Sequence, residues 1–274
     1  MSTDLESLRG NPAELARRGR KRIRPVQVLP TLVTLGNLIA GLMAMMKCLA
    51  AAAATSAQVR TELQAQAAWL LFLAMVFDAV DGKVARMTGQ TSRFGEQVDS
   101  ICDVVSFGAA PALLFHQLMT SGTEFISPRV STVLAAVYIA GGALRLARFN
   151  VETTPDEDSH RWFKGLPIPA AAAVVSSLVI LNGDLDPTGE SWVRGAMPWV
   201  VGCLGLLMVS RLKYVHLTVW LFKRKSFTTM ALLVGVFALF AQFFEVMVPL
   251  TCVAFAASGP LLLLLPRRAQ AAAP

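Results

Sequence analysis

The sequence predicts an all-α fold, a polytopic membrane helix bundle of about eight transmembrane helices with both termini in the cytoplasm. Three observations lead there. Of the 274 residues, 54% are hydrophobic and only 16% are charged. The apolar residues fall in stretches near the length that crosses about 30 Å of hydrocarbon as a helix. Lysine and arginine collect in alternate connecting segments, the pattern left by positive loops that resist translocation. One water-soluble core cannot hide this much apolar surface, whereas several bilayer spans absorb it.

Residues 1–27 read as a basic cytoplasmic segment, carrying Arg17, Arg18, Arg20, Lys21, Arg22 and Arg24. They contain no short apolar stretch followed by a small-residue cleavage site, so they do not resemble a secretory signal. Apolar stretches then follow at 28–54, 65–87, 97–120, 129–150, 167–183 and 196–210, which makes 28–210 a six-helix core. Residues 211–227 mix apolar and basic side chains and read as a segment lying along the membrane interface. Two further stretches, 228–243 and 246–266, give a C-terminal helix pair with a short tail, 228–274. Basic residues concentrate in the N-terminal tail, 83–93, 145–164, 211–225 and at Arg267 and Arg268, and are sparse in segments such as 183-GDLDPTGESWVRGA-196. Eight spans with both ends inside satisfy this alternation, and place Asp184, Asp186 and Glu190 in a solvated outer loop.

The net charge of +7 has its simplest source in these orienting residues, which also lean on anionic lipid headgroups; no nucleic-acid partner is expected. Cys48, Cys102, Cys203 and Cys252 stand singly in apolar surroundings and read as small core residues rather than as a zinc site or disulfide framework. His116, His160 and His216 are too dispersed to suggest a metal cluster.

Against this background the stretch 77-FDAVDGKVARMTGQTSRFGEQVDSICDVVSFG-108 places four aspartates at apolar flanks. Asp78 and Asp81 are three apart and Asp99 and Asp103 four apart, so on helices each pair shares one face. Each charge near a bilayer centre costs roughly 3 kcal/mol, and four together on the order of 10 kcal/mol before their mutual repulsion. A positive partner must sit among them. Hard divalent cations with oxygen ligands suit a carboxylate-only site, Mg2+ or Mn2+ in particular, and four carboxylates suit two ions. Gly82, Ala85 and Gly95 keep the neighbouring turns thin enough for a ligand or another helix to approach, and Arg86 is a natural partner for phosphate oxygens. A structural ion-pair cluster and a divalent-cation transporter use similar carboxylates. Transport pathways, however, usually scatter their acids over several spans, while these gather at one cytoplasmic edge.

The run Asp78-Ala-Val-Asp81-Gly82-Lys-Val-Ala85-Arg86, then eight residues to Gly95, three to Asp99 and three to Asp103, resembles without a gap the signature of the CDP-alcohol phosphotransferases. That resemblance implies a helical membrane enzyme that moves a phosphoalcohol group from a CDP-alcohol to an acceptor hydroxyl and releases CMP. It implies that Asp78, Asp81, Asp99 and Asp103 hold the metals and that Asp103 also takes the acceptor proton. Gly82 and Ala85 would line the cytidine side, with Arg86 at the diphosphate and Gly95 beside it.

Further segments resemble the phosphatidylserine synthase branch of the family: 29-LPTLVTLGNLIAG-41, 106-SFGAAPA-112, 144-LRLARFN-150, 164-KGLPIPAAA-172 and, more faintly, "MVSRLKY". Thr34 and Asn37 stand at nucleotide-contacting positions by this likeness, and Thr31 occupies a place where relatives often carry asparagine. The branch implies CDP-diacylglycerol and L-serine as substrates, phosphatidylserine and CMP as products, membrane lipids as surroundings and a possible homodimer. The location implied is the bacterial inner membrane, with the site facing the cytoplasm. An amino-acid acceptor needs a partner for its carboxylate, which Arg145 and Arg148 can supply bidentately. Ser106, Asn150 and Lys164 are further acceptor-side candidates, Ser106 being equally able to bond its own helix backbone. Glycerol 3-phosphate and inositol remain alternative acceptors.

Overall fold

Long apolar runs separated by short polar breaks give helices here because a backbone in hydrocarbon has to satisfy its own polar groups. The computed structural model describes residues 28–87, 93–121, 126–152, 162–185, 191–215 and 244–264. In chain order these form α1 (Val28–Ala53), α2 (Ala57–Met87), α3 (Arg93–Asp103), a π-helical segment (Val104–Ala109), α4 (Ala110–Thr120), α5 (Pro128–Glu152), β1 (Trp162–Lys164), α6 (Ile168–Leu185), α7 (Trp192–Val209), β2 (Lys213–Val215) and α8 (Phe244–Leu264). From α3 to α4 the chain runs as one continuous span.

Six helices are long and apolar enough to cross a membrane, while the apolar part of α8, Val246–Leu261, is shorter. The six overlap the six apolar stretches expected between 28 and 210. The expected span over 228–243, both chain ends and most of the 211–227 segment lie outside the described residues. Helix α2 starts at Ala57, ahead of the apolar stretch that begins near 65, because Arg60, Glu62, Gln64 and Gln66 are good helix formers though not apolar. Gln66 donates to Glu62 one turn back, at 3.4 Å. The start of α5 is marked by Ser127, whose hydroxyl accepts from the Val130 amide at 3.4 Å, and by Pro128 at the first helical position.

Two spans form the interior. Buried residues make up 67% of the α6 window and 56% of the window running from α3 to α4, against 28–39% for the other four. Helix α1 packs along α2, α5 along α7, and α8 along α6. The α5–α7 crossing is close because both sides are glycine: a Cβ on Gly141 would lie 2.4 Å from the Gly205 carbonyl oxygen. Cys48 and Cys102 are buried as expected, Cys252 is half-buried, and Cys203 instead faces outward on α7, where the surroundings of the bundle are lipid.

One feature departs from pure helix. Strands β1 and β2 pair antiparallel, Trp162 with Val215 and Lys164 with Lys213. Gly165 turns away from β1 with φ +81 and its amide donates to the Leu212 carbonyl at 2.8 Å. Residues 213–215 of the expected interfacial segment are therefore strand, and Tyr214 is wholly buried.

Polar side chains sit at the two ends of the bundle. At one end Gln64 of α2 donates to Gln117 of α4, Arg194 of α7 donates to the Ser121 carbonyl, and Ser191 donates to Asn182 of α6 at 2.7 Å. The aspartates occupy the opposite end.

Replacing Gly141 by valine forces α5 and α7 apart, with a cost of about 1–3 kcal/mol for overpacking. A melting midpoint several degrees lower in detergent is expected, whereas Gly202→Ala, whose Cβ would meet Leu134 at 3.4 Å, leaves the midpoint near the parent value.

Candidate active site

Asp78 and Asp81 lie near the C-terminal end of α2, and Asp99 and Asp103 line α3. Spacing of three and four keeps each pair on one helical face, and the two faces meet. One carboxylate oxygen from each of Asp78, Asp99 and Asp103 falls within a group whose members are all within 4.8 Å of one another. Asp81 belongs to the same electrostatic cluster, acting on both Asp99 and Asp103, but its carboxylate is engaged differently, by the Thr34 hydroxyl of α1 and the Gly82 amide.

Asp103 is 7% exposed and Asp81 5%, while Asp78 and Asp99 are half-buried. Asp81 Oδ2 and Asp99 Oδ1 are buried with no hydrogen-bond partner among the described residues. Buried anionic oxygens left in this state are costly, and a divalent cation satisfies them. The donor set, all carboxylate, fits a hard cation.

Around the aspartates the structure separates the other candidates. Asn37 of α1 is fully buried, and its Nδ2 donates to Asp103 Oδ1 at 3.1 Å. Ser106 is also fully buried; its hydroxyl donates to the Asn37 backbone carbonyl at 3.1 Å, a partner on α1 rather than on its own helix. Arg145 is 9% exposed, its charge acts on Asp103, and its Nε has no hydrogen-bond partner among the described residues. Arg148, three residues on, donates instead to the Val209 carbonyl at 2.9 Å, at the C-terminal end of α7, where a cation is favoured. Asn150 and Ser100 hydrogen-bond each other, with Asn150 Nδ2 donating at 3.0 Å, tying the end of α5 to α3. Gly82 and Gly95 are half-buried beside their aspartates. Ala85 and Arg86 lie on α2 and Lys164 on β1, with side chains outside the described residues.

Two elements of the site carry no sequence signature. The π-helical segment begins at the residue after Asp103, and Tyr138 of α5 donates to its Phe107 carbonyl at 3.1 Å. Such segments insert a residue into a helix without ending it and recur at functional sites.

The sequence model of the CDP-alcohol phosphatidyltransferase family matches residues 27–209, more than half of the chain. A CDP-diacylglycerol–serine O-phosphatidyltransferase of Helicobacter pylori is 34% identical over 192 residues, 70% of this chain and 73% of that one. A protein of the same name from Methanocaldococcus jannaschii is 39% identical over 145 residues, 53% of this chain and 61% of its own. An archaetidylserine synthase of Methanothermobacter thermautotrophicus is 35% identical over 147 residues, 53% of this chain and 56% of its own. The chain therefore belongs to the CDP-alcohol phosphatidyltransferase family, whose enzymes transfer a phosphatidyl group from CDP-diacylglycerol to an alcohol and depend in general on divalent metal.

A divalent cation that binds the folded cluster stabilises it by mass action, about 2.7 kcal/mol at a concentration one hundred times its dissociation constant. Titrating metal-stripped protein with Mn2+ should raise the melting midpoint. In Asp99→Asn the rise should shrink or move to higher concentration, and an undiminished rise in that variant would place the ion elsewhere.

Proposed function

We propose that this protein transfers the phosphatidyl group of CDP-diacylglycerol to the hydroxyl of L-serine, giving phosphatidylserine and CMP. What carries the reading is the meeting of Asp78, Asp99 and Asp103 within 4.8 Å at one end of a membrane bundle, with the buried Arg145 guanidinium acting on Asp103. The relatives from Helicobacter pylori and Methanocaldococcus jannaschii, named CDP-diacylglycerol–serine O-phosphatidyltransferases, support the same acceptor.

In this reading Asp78, Asp81, Asp99 and Asp103 hold the divalent ions, Mg2+ or Mn2+ and two in number. Ions held there would supply positive charge to offset that of the diphosphate and of departing CMP. The acyl chains of CDP-diacylglycerol stay in the bilayer, with Gly82 and Ala85 on the cytidine side, Thr34 and Gly95 nearby and Arg86 at the diphosphate. Serine enters from the cytoplasm, the side assigned to the basic segments and both termini of an eight-span inner-membrane protein.

A serine hydroxyl is a weak nucleophile at neutral pH, so it needs a base and a fixed orientation. Asp103 accepts the hydroxyl proton as the serine oxygen forms its bond to the phosphatidyl phosphorus. The bond from that phosphorus to the CMP oxygen breaks, and CMP leaves with the electron pair. Direct transfer is favoured, because an aspartate nucleophile would have to give up its place among the ligands. Arg145 supplies the fork that matches the serine carboxylate. Arg148, whose guanidinium is committed to the Val209 carbonyl, supports the end of α7 next to that pocket.

Purified protein given CDP-diacylglycerol, a divalent ion and a panel of labelled acceptors should release CMP and label lipid with serine. Labelling with glycerol 3-phosphate or inositol alone would reassign the acceptor, and metal flux across proteoliposomes without CMP release would replace the enzyme by a transporter. Asp103→Asn should lower turnover at least a hundredfold while retaining CDP-diacylglycerol binding.

The two arginines should separate in kinetics. Arg145→Ala is expected to raise the serine KM at least tenfold, in line with loss of a charge-assisted contact of about 1.5–3 kcal/mol. Arg148→Ala should mainly lower the melting midpoint, and a serine KM that rises only in Arg148→Ala would exchange their roles.

A further inference from the structure

The Asn37 amide, a neutral side chain, hydrogen-bonds Asp103 directly across 66 residues of sequence. Its exposure is zero, so the amide is enclosed between α1 and α3, with its Nδ2 on Asp103. The brace is closed from the other side, where the Ser106 hydroxyl donates to the backbone carbonyl of Asn37. Asn37 thus bonds the residue just before the π-helical segment through its side chain and a residue within that segment through its main chain. The two elements touch backbone to backbone: a Cβ on Gly41, one turn beyond Asn37, would fall 2.7 Å from the Ser106 Cα. Tyr138 holds the same segment from α5.

We infer that Asn37 is a positioning residue for the reaction, one that holds Oδ1 of the Asp103 carboxylate and so fixes the direction in which the carboxylate faces the other aspartates and the acceptor hydroxyl. The chemistry of an amide suits this. Its Nδ2 donates to Oδ1 and restrains rotation of the carboxylate, while the amide itself neither takes nor gives up a proton. A carboxylate in its place would add another anion next to Asp103 and would contest the proton. An aliphatic side chain would leave Oδ1 without its donor and the carboxylate free to rotate. Asp103 is otherwise surrounded by Asp78, Asp81, Asp99 and Arg145, all charged, so Asn37 is the contact that sets direction without altering the charge balance.

The assignment rests on Asp103 being the base, and the test separates the two ideas. Four forms are compared in detergent or nanodiscs: the parent, Asp103→Asn, Asn37→Ala and the near-isosteric Asn37→Asp. Each is measured for kcat, for KM of both substrates, for equilibrium binding of CMP, and for melting midpoint. The positioning role requires Asn37→Ala to lower kcat ten- to a hundredfold, with CMP affinity and CDP-diacylglycerol KM within about threefold of the parent. Asn37→Asp, which keeps the shape, should lose at least as much kcat. A purely packing role is contradicted by that loss, since the isosteric variant preserves packing. Two results overturn the inference: a tenfold loss of CMP affinity with kcat retained, which makes Asn37 a nucleotide contact, or parent-like kcat in Asn37→Asp. If Asn37→Ala does not fold, Asn37→Asp decides alone by the same criteria. Parent-like turnover in Asp103→Asn would remove the base assignment itself, an outcome distinct from failure of the Asn37 variants while Asp103→Asn is inactive.

Discussion

Carboxylates brought together at the end of a membrane bundle repel one another, and most of what is distinctive in this protein follows from containing that repulsion. Two unit charges about 5 Å apart interact by roughly 3 kcal/mol at an effective dielectric constant near 20, and the oxygens of Asp78, Asp99 and Asp103 lie within 4.8 Å. Asp81 adds to the same field while being held by Thr34 and by the Gly82 amide. Among the described residues, Arg145 is the buried cation whose charge acts on Asp103. The cluster is therefore built to receive positive charge, and a family dependent on divalent metal supplies a reason for its persistence.

Keeping these groups aimed at one centre is work done by neighbouring backbone. Helix α1 comes close enough to contact the π-helical segment only because residue 41 is glycine, and the approach delivers Thr34 and Asn37 to Asp81 and Asp103. The wider turn of the π-helical segment loosens the regular carbonyl pattern, and Tyr138 supplies a donor at Phe107. Arg148 and Asn150 hold the end of α5 against α7 and α3, which keeps Arg145 beside the aspartates. The buried polar contacts at the far end, among Gln64, Gln117, Ser121 and Arg194, join α2, α4 and α7 where no charge cluster needs support.

The helical architecture could be read from sequence because hydrocarbon imposes a length and a composition on every span. The aspartate pairs could be read because spacing of three and four is a local property of a helix. What was hidden depended on contacts between distant segments. Asn37 and Asp103 are 66 residues apart, and nothing in either neighbourhood distinguishes an amide that touches a nucleotide from one that braces a carboxylate. Arg145 and Arg148 look equivalent in "LRLARFN", yet they are one turn apart on a helix with different neighbours, so one meets Asp103 and the other the end of α7. Ser106 was open between an acceptor and its own helix, and its partner proved to be a third choice, the Asn37 carbonyl. The strands Trp162–Lys164 and Lys213–Val215 are too short to show alternation, and the π-helical segment VVSFGA runs without a break into the apolar α4 that follows it.

The family match stops at residue 209, but the packed body does not. Tyr214 is buried with its hydroxyl donating to the Ala256 carbonyl at 3.2 Å, its ring against Phe255 and Gly259 pressed to its face, while α8 lies along α6. A boundary drawn where the family resemblance ends would cut through an interior rather than a hinge. It would strip the cover from the most enclosed helix of the bundle and remove β2, the strand that pairs with β1. In engineering terms, the smallest unit that keeps its interior sealed extends to α8.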